Sequence, residues 1–334
     1  MKVLSAQNGN AYLRNSEMPV LGEKHLLVKT VYSAVSPGTE LSMIKNSGES
    51  FDLGYSASGV IVEVGEKVTK FEVGESVAVY GAPYVGHREF LSVPETLAAK
   101  VPKNVDMKDA ALAGIGAIAI HGLRQANLQF GEIVIVVGLG IYGQLISQIA
   151  LSSGYDVIAL NRSRPRVDLL QSVSNIAAFD SEEEMGRYLD MISDGHGADA
   201  VLLCAGGKKS DLTNKSFRWL RDRGTSVIVG DIEPHYDRGL MFSKELNIKI
   251  SRAGGPGRYD SVYENEAVDY PYGYVRWTEG RNVREFLRLL SNKRIDVAKY
   301  YNQVMPLEKY EKAYDELSQS GARYLTHLFK YEED

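Results

Sequence analysis

EIVIVVGLGIYGQLISQIALSSGYDVIALN, residues 132–161, decides the fold. Its first apolar run, through Val137, reads as a strand of a parallel sheet, buried on both faces. GQLISQIALSSG follows, with Leu145, Ile146, Ile149 and Ala150 on one helical stripe and Gly154 at the stop. DVIALN (156–161) is a second strand. The turn between strand and helix is Gly138-Leu139-Gly140-Ile141-Tyr142-Gly143, a G-x-G-x-x-G. Alone the hexapeptide is a weak signal. Inside one strand–helix–strand unit it is a dinucleotide fingerprint. Gly138 permits the tight turn, Gly140 lets the backbone approach a pyrophosphate at the helix N-terminus, and Gly143 allows close packing of helix on strand.

The alternation continues outward. RPRVDLLQSV is expected to be helical, AAF (177–179) a strand, EEEMGRYLDMI a helix and DAVLLCAGG (199–207) a strand. DLTNKSFRWLRDRG reads as a helix, TSVIVG (225–230) as a strand and LNIKIS (246–251) as one more. Strict alternation marks a doubly wound α/β sheet. Cys204, Ala205, Gly206 and Gly230, at the ends of two of these strands, are counted with the cofactor-binding residues.

The second strand of such a fold declares the cofactor. An acid about 20 residues beyond the glycines would accept the ribose 2′-hydroxyl of NAD. This chain has Asn161, then Arg162, Ser163 and Arg164. A carboxylate would repel a 2′-phosphate, whereas arginines grip one. NADP(H) is therefore expected over NAD(H).

The first hundred residues differ in texture. HLLVKTVYSAV (25–35), VIVEVG (60–65) and ESVAVYG (75–81) are short strand-like runs split by Gly and Pro, which suggests a small β-barrel. A buried helix is expected from Asp106 through AALAGIGAIAIHGL. After residue 252 a Tyr- and Gly-rich stretch lacks any period, then come the amphipathic VREFLRLLSN and a mixed tail. That tail cannot stand alone, so it is expected to return to the first domain. The resulting division is 1–121, 122–256 and 257–334.

Composition narrows the function. A net charge of −5 argues against nucleic-acid binding. No apolar run approaches the roughly 20 residues of a membrane span, and MKVLSAQNGNAYL lacks the apolar core of a signal peptide. Cytoplasmic residence is the default expectation. Cys204 is the only cysteine, which excludes intrachain disulfides and Cys-rich zinc sites.

A barrel-like region, a Rossmann domain and a returning tail together resemble the medium-chain dehydrogenase/reductase superfamily, whose catalytic domain is GroES-like. The motifs that carry the resemblance are SPGTEL (36–41), LGYSASGVIVEVG (53–65), VGESVAVYG (73–81), AALAGIGAIAIHGL (110–123) and VVGLGIYGQ (136–144). SAVSPGTE, GHREF (86–90), GPGRYDSVYE and DYPYGYVRWTEGRN further resemble the dehydrogenase portion of bacterial bi-domain oxidoreductases from polysaccharide loci, and sugar or glycoside dehydrogenases. The resemblance implies a small-molecule substrate of sugar, polyol or cyclitol type, and a homodimer formed around LNIKIS.

Zinc members of the superfamily carry Cys-Gly-Thr-Asp, Gly-His-Glu and a later Glu or Cys in the buried helix. Here Pro37 stands for the cysteine, Tyr55 and Ser56 for the histidine and glutamate, and Gly114 where the third ligand falls. No zinc is expected. A proton donor must then serve the substrate oxygen. Thr39 matches the family's relay hydroxyl, and Tyr55 and Ser56 are the further candidates, with His87 in its Gly-flanked loop; Glu40 is read as structural and His121 as core. Arg258, Tyr259, Arg276 and Trp277 are expected to contact substrate. Two other readings stay open: reduction of an activated alkene or quinone, and a catalytically silent NADPH-binding sensor or scaffold.

Overall fold

Ile133–Val137 lies inside a six-stranded, fully parallel sheet. Val134 pairs with Val157 on one side and Ala200 on the other, so both edges of the strand are occupied. Val134, Ile135 and Val136 are completely buried, each contributing on the order of 1.5–3 kcal/mol through its side chain. The sheet runs Ala177–Phe179, Asp156–Leu160, Ile133–Val137, Ala198–Leu203, Leu220–Ile228, Asn247–Ile250, the doubly wound order with the fingerprint strand at the switch point. Asn247–Ile250 is an edge strand, with Ile250 69% exposed.

This computed structural model describes residues 1–207, 210–319 and 324–331. The chain forms two units: residues 118–253 with 294–296, and residues 1–117 with 254–293 and 297–334. The divisions fall a few residues earlier than the sequence suggests, and Arg294–Asp296 joins the parallel-sheet unit, where the Gln148 side chain bonds the backbone of Asp296 on both its amide groups.

In the other unit, His25–Ala34 is the organising strand. It pairs along one edge with Ser56–Val64 and along the other with Phe90–Pro94 and then Thr326–Lys330. Ser76–Tyr80 and Ala98–Lys100 extend the sheet on one side and Tyr301–Pro306 on the other. The tail thus returns to the first domain through two strands, and a three-stranded sheet (Asn10–Asn15, Lys2–Gln7, Phe51–Asp52) flanks them. The architecture is α/β: a Rossmann-like parallel sheet and a GroES-like domain. Among the described residues no helix is long and apolar enough to cross a membrane.

Two local expectations fail. The helix expected from Asp106 onward is two helices, Met107–Ala110 and Ala113–Ala126. The helix expected over DLTNKSFRWLRDRG stops at Trp219, because Leu220 to Gly224 join the neighbouring strand, with Arg223 at φ +63°.

Candidate functional site

Pro37 opens a helix, Pro37–Lys45, that carries Thr39 in its first turn. Ser36 makes no side-chain cap; instead its amide donates to Glu40 Oε1 at 2.7 Å. Glu40 is completely buried, and Oε2 accepts from Tyr314 Oη at 2.6 Å and from His87 Nε2 at 2.9 Å. His87 Nδ1 lies 2.7 Å from Ser33 Oγ, which lies 2.8 Å from Tyr331 Oη. One proton arrangement satisfies every group: Tyr331 to Ser33, Ser33 to His87 Nδ1, and His87 Nε2–H to Glu40. A buried carboxylate needs such compensation. Gly54 fits against this ring: at φ +88°, a Cβ there would meet the imidazole at 2.8 Å.

His87 was expected in a loop facing the substrate. It is 0% exposed and wholly engaged, so it is a structural residue that fixes the helix carrying Thr39. Thr39 itself is partly exposed, and its hydroxyl has no partner among the described residues.

Ser56 also takes a structural place. Its Oγ donates to Ala111 O at 2.5 Å and accepts the Gly114 amide at 2.9 Å. This explains the broken helix: a strand hydroxyl fills the gap at Ala111–Leu112 and caps the Ala113–Ala126 helix from outside. A Cβ at Gly114 would stand 2.8 Å from Ser56 Oγ and 2.6 Å from the Tyr80 ring. No larger residue fits there. Tyr55 is half-buried, with its ring edge-on to Tyr80 at 6.2 Å between centroids. Pro37, Tyr55, Ser56 and Gly114 therefore present no metal-binding set, and no group of three or more His, Cys, Asp or Glu able to hold a metal occurs among the described residues.

Behind Tyr80 lies a cluster that sequence reading missed. The Tyr80 hydroxyl accepts the Gly254 amide at 2.9 Å, and a Cβ at Gly254 would touch both the Tyr80 ring and Glu279 Cβ. Arg258 donates to Ala82 O and pairs with Glu264, which also accepts the Tyr259 amide at 3.0 Å. Glu279 is 0% exposed, and neither carboxylate oxygen has a hydrogen-bond partner among the described residues. Burial, reinforced by the Glu264 carboxylate and opposed by Arg258, pushes its pKa up to about 8. Protonated, it can donate to Glu264; ionised, it cannot. The same desolvation carries His121 down to about 4, as befits a core histidine.

Of the four expected substrate contacts, Arg258 and Tyr259 belong to this cluster, the guanidinium 4.2 Å over the phenol ring. Tyr259 is 61% exposed with φ +66°. Arg276 and Trp277 instead line a different cavity, one that none of Thr39, Tyr55 or Ser56 borders.

In the parallel-sheet unit the three glycines answer to three constraints. Gly138 has φ +93°. A Cβ at Gly143 would lie 1.8 Å from Gly138 O, so helix and turn touch only because both are glycine. At Gly140 a Cβ would find open space, with Arg166 Nη1 alone at 3.5 Å. Ile141 and Tyr142 begin the Ile141–Ser152 helix beyond it. Cys204, Ala205 and Gly206 follow the Ala198–Leu203 strand, and Gly230 is pressed against the Ala205 carbonyl. Cys204 is half-buried, and desolvation pushes its thiol up to about 12.

Asn161 braces the glycine turn, its Oδ1 accepting the Leu139 amide at 3.0 Å. Ser163 precedes the Arg164–Gln171 helix. Arg164 is paired with Asp168 at 2.7 Å. Arg162 is exposed and without an ion-pair partner among the described residues. Arg166, half-buried beside Gly140, was not singled out from sequence; desolvation lowers its pKa with no carboxylate acting against it. A dinucleotide fits this cradle: Gly140 leaves room for a phosphate, and Arg166 is a cation with no carboxylate partner among the described residues.

Comparison with known proteins agrees with the fold. Residues 22–119 match the alcohol dehydrogenase GroES-like domain family. The chain is 28% identical to a probable D-xylulose reductase A of Emericella nidulans over 246 residues, covering 63% of this chain and 68% of that protein. It is 26% identical to a sorbitol dehydrogenase of Halalkalibacterium halodurans, covering 78% and 86%. The crystal structure of galactitol-1-phosphate dehydrogenase from Escherichia coli superposes with a TM-score of 0.80 at 19% identity, covering 99% of this chain and 100% of that one. Residues 22–119 therefore carry the alcohol dehydrogenase GroES-like domain, and the chain is similar over 63% and 78% of its length to relatives that are oxidoreductases of the medium-chain dehydrogenase/reductase type.

Proposed function

We propose that this protein is a zinc-independent, NADP(H)-preferring oxidoreductase that interconverts an alcohol and a ketone on a sugar-, polyol- or cyclitol-like substrate. The observation that carries the reading is the Ser56–Gly114 pair. Where zinc relatives would place metal ligands, a serine hydroxyl is committed to two backbone groups and a glycine admits no side chain. The residues present do not fit a catalytic zinc. The names of the xylulose reductase and sorbitol dehydrogenase relatives support the substrate class.

Gly138, Gly140 and Gly143 with Arg166 would hold the pyrophosphate, and Arg162 the 2′-phosphate. Bound, the cofactor supplies or accepts a hydride at the substrate's oxygen-bearing carbon. The chain's own task is the proton. In reduction the carbonyl oxygen gains a hydrogen as the carbon gains its hydride; in oxidation the hydroxyl loses one. Tyr55 Oη is the donor and acceptor we assign, with Thr39 Oγ1 as the second hydroxyl of the relay. Proton transfer from a positioned side chain contributes typically 10²–10⁴-fold.

Turnover with oxidised sugars and polyols, followed by NADPH absorbance with and without a chelator, tests the reading. Chelator-insensitive reduction of a sugar ketone is the expected result. Activity that disappears on chelation and returns with zinc would overturn it.

The Asn247–Ile250 edge, with its exposed Ile250, is the surface through which we propose a homodimer, and the reading is of a cytoplasmic enzyme.

A further inference from the structure

Two cavities, of about 330 and 440 Å³, adjoin on the unit of residues 1–117, 254–293 and 297–334 and share Lys100, Arg281 and Arg284. Their sizes reach into the range that small ligands occupy. The larger is bordered by five cationic side chains, Lys100, Arg276, Arg281, Arg284 and Arg288, against one carboxylate, Glu285. A chain with net charge −5 has concentrated positive charge here.

Three of the five cations are already neutralised. Lys100 pairs with Glu75, Arg281 with Asp269 at 2.9 Å, and Arg288 with Glu285 at 2.7 Å. Arg281 also donates to the carbonyls of Val275 and Tyr270, so it fixes the loop in place. Arg276 and Arg284 have no carboxylate partner among the described residues, and both are exposed. Arg276 is nevertheless held: its guanidinium lies 3.7 Å from the Trp277 ring centroid and 4.5 Å from that of Tyr272. Stacking on two aromatic rings restricts the fork while leaving its N–H edge available. A pre-oriented guanidinium suits a phosphate, which it can engage with two parallel hydrogen bonds.

The cavity is larger than a phosphate alone would need, and beside the two cations it is lined by the Trp277 and Tyr272 rings on which Arg276 stacks and by Ser291, whose hydroxyl donates to Asn104 Oδ1 at 2.8 Å and keeps a lone pair for a sugar hydroxyl. From Arg276, Arg284 and Trp277 we infer a second binding site, for a phosphorylated sugar. None of Thr39, Tyr55 and Ser56 lines either cavity, so the inference does not depend on the redox reading above.

Trp277 is one of only two tryptophans, so its emission reports on the site. The full chain would be titrated at fixed ionic strength with glucose 6-phosphate, inorganic phosphate, glucose and sodium chloride. Glucose 6-phosphate should change the emission saturably, inorganic phosphate should bind at least tenfold more weakly, and glucose and chloride should do nothing. Trp277→Phe should abolish the signal, and calorimetric titration of Arg276→Ala and of Arg284→Ala should each show at least tenfold weaker binding with unchanged circular dichroism. No saturable response, a response matched by chloride, or arginine variants that bind as the parent does would overturn the site. Equal affinity for phosphate and glucose 6-phosphate would leave an anion site and overturn the sugar assignment.

Discussion

The hydroxyl of Ser56 accepts the amide hydrogen of Gly114 at 2.9 Å, joining a strand to the start of a helix 58 residues further along the chain. The same oxygen donates to Ala111 O. Removing it leaves a buried amide and a buried carbonyl unpaired, each costing roughly 1–3 kcal/mol. Ser56→Ala should therefore lower the unfolding midpoint by several degrees while turnover at 20 °C stays within threefold of the parent. A turnover loss of a hundredfold with an unchanged midpoint would return Ser56 to the catalytic set.

Tyr55→Phe carries the opposite expectation. The ring still packs edge-on against Tyr80, so the variant should fold, and its unfolding midpoint is measured alongside. Loss of the proton donor should lower kcat by about 10²–10³, with cofactor affinity unchanged. Steady-state kinetics and NADPH titration of the same sample separate the two effects; unaltered kcat would reduce Tyr55 to packing.

Glu279 predicts a pH dependence with a definite sign. Its pKa is about 8 in the folded chain against an ordinary 4.5. Below pH 4.5 both states hold the proton. Between 4.5 and 8 the unfolded chain gives it up while the folded chain keeps it, so this residue's contribution to stability falls as pH rises, and levels off above 8. Glu279→Gln, near-isosteric and uncharged, removes that slope. The variant's midpoint should gain on the parent's by at least about 4 °C between pH 5 and pH 8.5, taking roughly 2–4 °C per kcal/mol. A pH-independent difference would refute the assignment.

Arg162 and Arg166 of the parallel-sheet unit should behave differently. Arg166 faces Gly140, where the pyrophosphate common to both cofactors is expected, so Arg166→Ala should weaken NADPH and NADH alike. Arg162→Ala should weaken NADPH at least tenfold and NADH little, since a charge-assisted hydrogen bond is worth about 1.5–3 kcal/mol. Arg164, exposed and paired with Asp168, should matter least. Fluorescence titration with each cofactor measures all three; equal losses at Arg162 for both cofactors would remove it from the 2′-phosphate site.

What could be read from the sequence was local. The central parallel strands announce themselves because Ile133–Val137, Asp156–Leu160 and Ala198–Leu203 are apolar runs alternating with helical stretches, and the glycine spacing at 138, 140 and 143 is a constraint within six residues. What escaped reading depends on distant contacts. The break at Ala111 follows from a serine 55 positions earlier. Glu279 looks like an ordinary acid in the first turn of a helix; its burial comes from Gly254, Tyr80 and Glu264 closing around it. His87 looked like a catalyst in a glycine-flanked loop because nothing near it in sequence names its partners, Ser33 and Glu40. Arg166 lies six residues past the strand end, in the first turn of the following helix, beyond the window in which a cofactor acid or base is sought.

The Glu40–His87 network also sets an order of assembly. Tyr314 and Tyr331 complete it, and the Thr326–Lys330 strand closes the sheet along His25–Ala34. Residues 118–253 need almost nothing from outside their own span, only Arg294–Asp296. During synthesis the parallel-sheet unit can therefore fold while the tail is still inside the ribosome. The helix bearing Thr39, made among the first 45 residues, waits for almost the last ones: the nascent chain completes its glycine turn well before it fixes the Thr39 helix.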